Sequence, residues 1–197
     1  HPHRGFEIIS YVLEGEIGHR DTLGTVSRVK TGGAQVMQTG SGVSHQEETL
    51  GDHTEFFQIW FEPDLQEAVK RSPTYREFHQ RDFPVDTYEG VTTKSVIGDG
   101  GPISLVAPVT MQEIRVLEEK QLIRKLQKGN CLAALVIDGE GSWTSNEANK
   151  SLSVRTGDLA VIEAAVNSEL VLRSEGTNPL RTAIVEVPVS VPYRLYA

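Results

Sequence analysis

Apolar residues along the chain fall in short runs, not in long periodic stretches. Phe6–Leu13 (FEIISYVL), Phe56–Phe61 (FFQIWF), Leu132–Ile137 (LAALVI), Leu159–Ile162 (LAVI) and Ala183–Val187 (AIVEV) are rich in Val, Ile and aromatic residues, and Gly, Asp, Asn and Ser separate them. Short runs of this composition bounded by turn formers predict strands, and many of them in one chain predict an all-β sandwich or barrel. Helix-forming composition is confined to Asp64–Gln80 and Gln112–Lys128. Pro73 breaks the first. The second carries no clean apolar stripe at helical spacing and reads as mostly strand.

The pattern also repeats. Val12-Leu13-Glu14-Gly15-Glu16 resembles Val136-Ile137-Asp138-Gly139-Glu140, 124 residues later. Thr31-Gly32-Gly33 precedes Val36-Met37 as Arg155-Thr156-Gly157 precedes Ala160-Val161; aligning Gly33 with Gly157 gives the same offset of 124. Two matches in one register predict a duplicated domain. Each copy would be a strand ending in a Gly turn, a hairpin, and a second Gly turn opening a new strand. The boundary is expected within Glu62–Gly101, where Pro63, Pro73, Pro84 and Gly98-Asp99-Gly100-Gly101 break the pattern. The expected organisation is a first domain over 1–64, a connector over 65–100 and a second domain over 101–197.

Length allows this: 197 residues suffice for two small domains with real cores. A formal net charge of −8 repels phosphate backbones and anionic lipid surfaces, so direct nucleic-acid and membrane binding are not expected. No apolar run approaches the roughly 20 residues of a membrane helix, and no signal-peptide pattern is visible. The lone Cys131 excludes an intramolecular disulfide and a multi-thiolate metal site; it reads as a core residue in a reducing compartment, and the cytoplasm is the expected location. The chain opens on His1 without an initiator Met, so an upstream segment is expected.

Candidate chemistry is confined to the first half. The six histidines are His1, His3, His19, His45, His53 and His79. His1-Pro2-His3 has the i, i+2 spacing that puts two strand side chains on one face, about 7 Å apart. Pro2 fits a strand start. His45-Gln46-Glu47 repeats the device with an imidazole and a carboxylate. Three imidazoles and a carboxylate suit iron, nickel, copper or manganese. Glu7 shares parity with His1 and His3 but could reach the same ion only through a bend, for instance at Gly5; it reads as a supporting or structural carboxylate. His19, His53 and His79 lie among polar residues and read as surface histidines. Phe6, Tyr11, Phe57 and Trp60 read as core, with a pocket wall as the secondary reading. Adding 124 to the four candidates gives Lys125, Gln127, Glu169 and Val171, so the second copy keeps no ligand set. A mature N-terminal His1 could instead hold copper through its amine, but Pro2 offers no amide proton for that motif.

His1-Pro2-His3-Arg4-Gly5-Phe6-Glu7, Tyr11-Val12-Leu13-Glu14-Gly15-Glu16 and Gly40-Ser41-Gly42-Val43-Ser44-His45-Gln46-Glu47 together resemble the pirin family of bicupins. The likeness is strong over about residues 1–61 and looser beyond. It implies two tandem cupin (jelly-roll-type) β-barrels, with one divalent metal per chain, iron(II), in the first. Nickel, copper, manganese and zinc are the other ions such a site takes. The family's metal ligands fall on His1, His3, His45 and Glu47. Some members are similar to quercetinases, which open flavonols with dioxygen and release carbon monoxide; animal members resemble regulatory cofactors whose iron oxidation state modulates a protein partner. The leading expectation is therefore a quercetinase-type dioxygenase acting on a flavonol-like aromatic substrate, with Glu47 as the catalytic base. The alternative is an iron-dependent redox-sensing binding protein without turnover.

Overall fold

A computed structural model describes residues 1–145 and 149–196. Two compact units divide the chain: His1–Phe83 with Leu105–Pro108 and the stretch from Pro192 onward in one, Pro84–Ser104 and Val109–Val191 in the other. Both are built of antiparallel strands, as the short apolar runs predict.

The first unit contains β1 (Pro2–His3), β2 (Glu7–Asp21), β3 (Val26–Lys30), β4 (Ala34–Gln38), β5 (Val43–Phe61), the short helix α1 (Leu65–Ala68) and β6 (Thr74–Phe78). Its sheet runs β1-β5-β2-β4-β6, with β3 also on β2. β2 pairs with β4 over Glu7–Tyr11 and with β3 over Glu16–Arg20, while β5 follows β2 along its whole length. Bulges at Val12/Glu14 and Glu14/Glu16 bend the pair between those two regions. Gly15 sits at the bend with φ +80, and a side chain there would run into the His53 carbonyl. Gly15 thus bends β2 where the sequence suggested that it ends the strand. Small apolar clusters, Ile8-Met37-Val43 and Val12-Ile17-Val29, fill the inside.

The second unit contains β7 (Val85–Tyr88), β8 (Val91–Ile97), β9 (Thr110–Val116), β10 (Gln121–Leu126), β11 (Asn130–Asp138), β12 (Glu140–Ser145), β13 (Lys150–Arg155), β14 (Leu159–Glu163), β15 (Ser168–Ser174) and β16 (Leu180–Pro188). One sheet runs β14-β11-β16-β9-β8-β7 and the other β10-β15-β12-β13. Between them lies one core, including Ile114, Leu132, Trp143, Leu170, Leu172 and Leu180. Residues 65–100, expected as a connector, supply α1 and β6 to the first unit and β7 and β8 to the second. Gln112–Lys128 forms β9 and β10, strands as expected. Cys131 is a free, partly buried thiol on β11.

The duplication is visible in the backbone hydrogen bonds. Gly32 N donates to the Val12 carbonyl at 2.8 Å and Gly157 N to that of Val136 at 2.9 Å. Thr31 N donates to Gly15 at 3.0 Å and Thr156 N to Gly139 at 2.9 Å. Gly157 therefore corresponds to Gly32, not to Gly33. The second copy has one extra residue in the hairpin, which lies between the paired positions Glu140 and Arg155 where the first copy has Glu16 and Lys30. Downstream of that hairpin the offset is 125, and the gap-free equivalents of the candidate ligands must be shifted.

Candidate metal centre

Backbone pairing brings His1, His3 and His45 together. Gly5, at φ +84, turns the chain and donates its N–H to Gly40 at 3.0 Å, which lays β1 against the start of β5. His1 and His45 exchange backbone hydrogen bonds, both 3.0 Å, and His3 pairs with Val43. His1, His3 and His45 thereby share one face. His45 Nε2 lies 3.1 Å from His3 Nε2 and 3.1 Å from His1 Nε2. One donor atom from each ring lies within 4.8 Å of the other two.

Three imidazole nitrogens that face one another suit a shared cation better than one another. A single proton can bridge only one pair of the three. Nitrogens about 2.1 Å from one ion are about 3.0 Å apart at a right angle and about 3.4 Å apart at the tetrahedral angle. The two 3.1 Å separations put His1 and His3 each near right-angle spacing from His45 about one ion. Burial pushes the His45 imidazole down to about 4, helped by the neighbouring His3 and His19, and burial also lowers His3. The uncharged, metal-binding form thus prevails at neutral pH. His45 Nδ1 is buried and has no hydrogen-bond partner among the described residues.

Glu47 is two residues beyond His45 on β5, but its carboxylate is not in the three-imidazole group. Ser10 donates to its Oε1 at 3.0 Å and Gln58 Nε2 to its Oε2 at 3.2 Å. Ser10 Oγ in turn accepts from Gln58 at 3.1 Å and Gln35 at 3.4 Å. These three polar side chains are register neighbours across β4, β2 and β5, which explains their convergence. Burial raises the Glu47 carboxyl pKa, against the hydrogen bonds from Ser10, Gln35 and Gln58. Gln58 Oε1 accepts from the Trp60 indole at 2.8 Å, which fixes the orientation of the amide.

Glu7 lies elsewhere. Only 2% exposed, it accepts from the amides of Val106 (2.8 Å) and Ala107 (2.8 Å). Gln38 Nε2 adds a third bond at 2.5 Å. It anchors the returning Leu105–Pro108 segment, a structural role.

His19 is the residue that the sequence reading misplaced. It is 2% exposed, on β2, with Nε2 2.9 Å from Asp21 Oδ2 and its ring stacked on Tyr75 at 4.2 Å. Its centroid is 5.5 Å from that of His45. Burial works to raise the Asp21 carboxyl, but hydrogen bonds from His19, Thr25 and Leu23 outweigh it and hold the group below the usual range. The available signal was alternation: Ile17, His19 and Asp21 continue the inward face past the bend at Gly15. Trp60 also differs from its core reading: 46% exposed, it stands edge-on against His3 with centroids 4.6 Å apart. His53 and His79 are exposed, as expected.

In the second barrel, strand pairing identifies the corresponding positions. Trp143 pairs with Leu172 as His19 pairs with Glu47, and Ser145 with Leu170 as Asp21 with His45. Arg124 and Leu126 pair with Leu170 and Ser168 as His1 and His3 pair with His45 and Val43. The counterparts of His3, His45 and Glu47 are therefore Leu126, Leu170 and Leu172, all core residues.

A family model described as Pirin matches residues 1–61. A Pseudomonas aeruginosa protein that carries the provisional name quercetin 2,3-dioxygenase is 31% identical over 180 residues, covering 87% of this chain and 74% of that protein. Pirin-like protein 2 of Arabidopsis thaliana is 29% identical over 77% of this chain and 48% of its own length. The chain spans about half the length of such curated relatives; for a Pirin-like protein of Caulobacter vibrioides the share is 40%. The crystal structure of GK1651 from Geobacillus kaustophilus superposes with a TM-score of 0.84 at 26% identity, over 98% of this chain and 78% of that one. The bacterial pirin YhhW from Escherichia coli, in complex with nickel(II), superposes with a TM-score of 0.76 at 22% identity, over 96% and 76%. That second likeness is one of fold.

Proposed function

This chain belongs to the pirin family, and we propose that its first barrel binds one divalent metal ion, iron(II), on His1, His3, His45 and Glu47, and acts as a quercetinase-type dioxygenase on flavonol-like substrates. The observation that carries the reading is the placement of His1 and His3 Nε2, each 3.1 Å from His45 Nε2, at right-angle spacing for one ion.

Bound there, the ion would supply Lewis acidity toward a substrate hydroxyl and one-electron chemistry toward dioxygen. The protein supplies the rest. His45 and His3 stay unprotonated because burial disfavours their charged forms. Glu47 accepts the proton of the flavonol hydroxyl on a carboxylate oxygen; its raised pKa makes it a better base than an exposed carboxylate. Ser10 and Gln58 hold that carboxylate, and Glu47 would exchange these bonds for the ion when it serves as a ligand. Trp60, half exposed beside His3, offers a flat apolar wall to an aromatic ring. The lone free thiol at Cys131 fits a cytoplasmic location.

The test is metal per chain by elemental analysis of wild type and His45→Ala, purified without chelators or metal resin, followed by quercetin turnover with and without dioxygen. Near-stoichiometric iron lost in the variant, with dioxygen-dependent release of carbon monoxide, is the expected result. Equal turnover by metal-free protein, or turnover without dioxygen, refutes the enzymatic reading. A second reading, a redox-sensing binding protein, is favoured by the replacement of the metal-site residues in the second barrel with Leu126, Leu170 and Leu172. It predicts partner affinity that depends on the iron oxidation state.

A further inference from the structure

Among the described residues, the side chains bonded to the Glu47 carboxylate are donors. Ser10 Oγ accepts from Gln58 Nε2 at 3.1 Å and from Gln35 Nε2 at 3.4 Å, which occupies its acceptor positions, so its one proton goes to Glu47 Oε1 at 3.0 Å. Gln58 Nε2 also reaches Glu47 Oε2, at 3.2 Å. Aromatic donors hold the far ends of both amides. The Trp60 indole, a donor only, gives its N–H to Gln58 Oε1 at 2.8 Å, and the Tyr75 phenol donates to Gln35 Oε1 at 3.1 Å. Burial raises the Tyr75 pKa, so the phenol keeps the proton that it donates. Both NH₂ ends therefore point inward.

The cradle is buried at one end and open at the other. Ser10 and Gln35 are 1% and 4% exposed, whereas Gln58 is exposed and Glu47 half-buried. A carboxylate thus already reaches the buried donors from the open side, and its two oxygens mark where those of another anion would lie. Glu47 would vacate this place when it serves as a ligand. Ser10, Gln35 and Gln58 would then present hydrogens without an acceptor, and buried donors left unpaired are costly. Donors held in advance around one spot select an oxyanion.

We propose that the Ser10–Gln35–Gln58 cradle is an oxyanion site that takes an acceptor-only oxygen group of the ligand, a carboxylate or an enolate, in exchange for Glu47, which rests on the reading of Glu47 as a metal ligand. The substrate then carries two recognised oxygens, one for the ion and one for the cradle.

The test starts from the metal-free, ¹⁵N-labelled full chain with formate as probe. Glu47→Ala empties the cradle. Formate should bind this variant saturably and move the Gln35 and Gln58 side-chain amide signals. Wild type should not respond at the same concentrations, because Glu47 holds the place. In Ser10→Ala/Glu47→Ala the affinity for formate should fall about tenfold, the loss of one bond to a charged group. Formamide, with an NH₂ in place of one formate oxygen, should not compete. Equal shifts in wild type and Glu47→Ala, or shifts that survive Ser10→Ala undiminished, make formate an adventitious ion only and overturn the site. Zinc(II) then tests the exchange. Wild type loaded with zinc(II) should respond on the same amide signals to formate or to 3-hydroxyflavone. Formate alone assigns the cradle to carboxylates, 3-hydroxyflavone alone to enolates, and no response to either overturns the exchange. Equal zinc(II) affinity of wild type and Glu47→Ala removes Glu47 from the ligand set. That result overturns the exchange through the metal reading, whereas the formate response of the metal-free chain bears on the cradle alone.

Discussion

Ser10 donates its hydroxyl to Glu47 Oε1 at 3.0 Å from a position that is 1% exposed. Ser10 Oγ itself accepts from Gln58 and Gln35. Ser10→Ala therefore removes one donor to Glu47 and one acceptor of the Gln58 and Gln35 amides. A loss of about 1–3 kcal/mol in urea unfolding is expected. The Glu47 carboxyl, already raised by burial, also loses a bond that lowers it, so its pKa rises further. If Glu47 is the base, the acid limb of the pH–rate profile moves to higher pH in the variant, because protonated Glu47 accepts nothing. An acid limb that stays put while stability falls would detach Glu47 from the chemistry.

The imidazole cluster makes the metal-free protein sensitive to mild acid. His45 titrates at about 4 in the folded chain against about 6.5 when unfolded. Between those values the unfolded state binds more protons, so stability rises with pH across that window. The contribution is present above about 6.5, falls as pH drops through the window and is fully lost below about 4. His3, lowered by burial, acts in the same direction. Denaturant unfolding of metal-free protein between pH 7 and 4 should show a loss of about 3 kcal/mol from His45. His45→Gln should flatten the slope.

Glu7 tests whether a buried carboxylate close in sequence to the candidate ligands is structural. It takes two backbone amides and the Gln38 side chain. Glu7→Ala leaves them unpaired in a buried place, at a cost of about 2–5 kcal/mol. Metal per folded chain should not change, because the Glu7 oxygens are taken by the Val106 and Ala107 amides and by Gln38. Loss of metal with unchanged stability would reverse the assignment.

How much of this was legible follows from how local each signal is. His1-Pro2-His3 and His45 could be read because i, i+2 spacing fixes a face, and strand pairing then does the rest. The repeat was legible as a motif, but its register was not. Two adjacent glycines, Gly32 and Gly33, offered equal alignments to Gly157, and only the hydrogen bonds to Val12 and Val136 choose between them. His19 was missed because Arg20, Asp21 and Thr22 make a polar neighbourhood. What buries it is Asp21 beside it and Tyr75 from β6, a strand distant in sequence. Glu7 was ambiguous because its partners, Val106 and Ala107, are about a hundred positions away. The Ser10-Gln35-Gln58 cradle lies across three strands and has no trace in any one of them.

Asp21→Asn probes the support behind His45. Asp21 Oδ1 accepts from the amides of Leu23 at 2.9 Å and Thr25 at 3.0 Å, while Oδ2 faces His19 Nε2 at 2.9 Å. Asparagine can keep the two amide bonds through its oxygen, which turns its NH₂ toward His19. Two donors would then meet unless His19 moves its proton to Nδ1, an atom that is buried without a partner among the described residues. Either way a charge-assisted bond is lost, and about 1–3 kcal/mol of stability with it at neutral pH. The difference has a pH signature. Asp21 is held below its usual range in the folded chain, so its contribution is present above the unfolded carboxylate pKa and lost as pH falls through the folded one. Wild type and variant should therefore converge in stability as pH falls below about 3.9, the unfolded carboxylate value. Long-range ¹H–¹⁵N spectra of the imidazole nitrogens should show the proton on Nε2 in wild type and on Nδ1 in the variant. An unchanged tautomer with unchanged stability would mean that Asp21 serves the turn at Leu23 and Thr25 alone and leaves His19 to its stack on Tyr75.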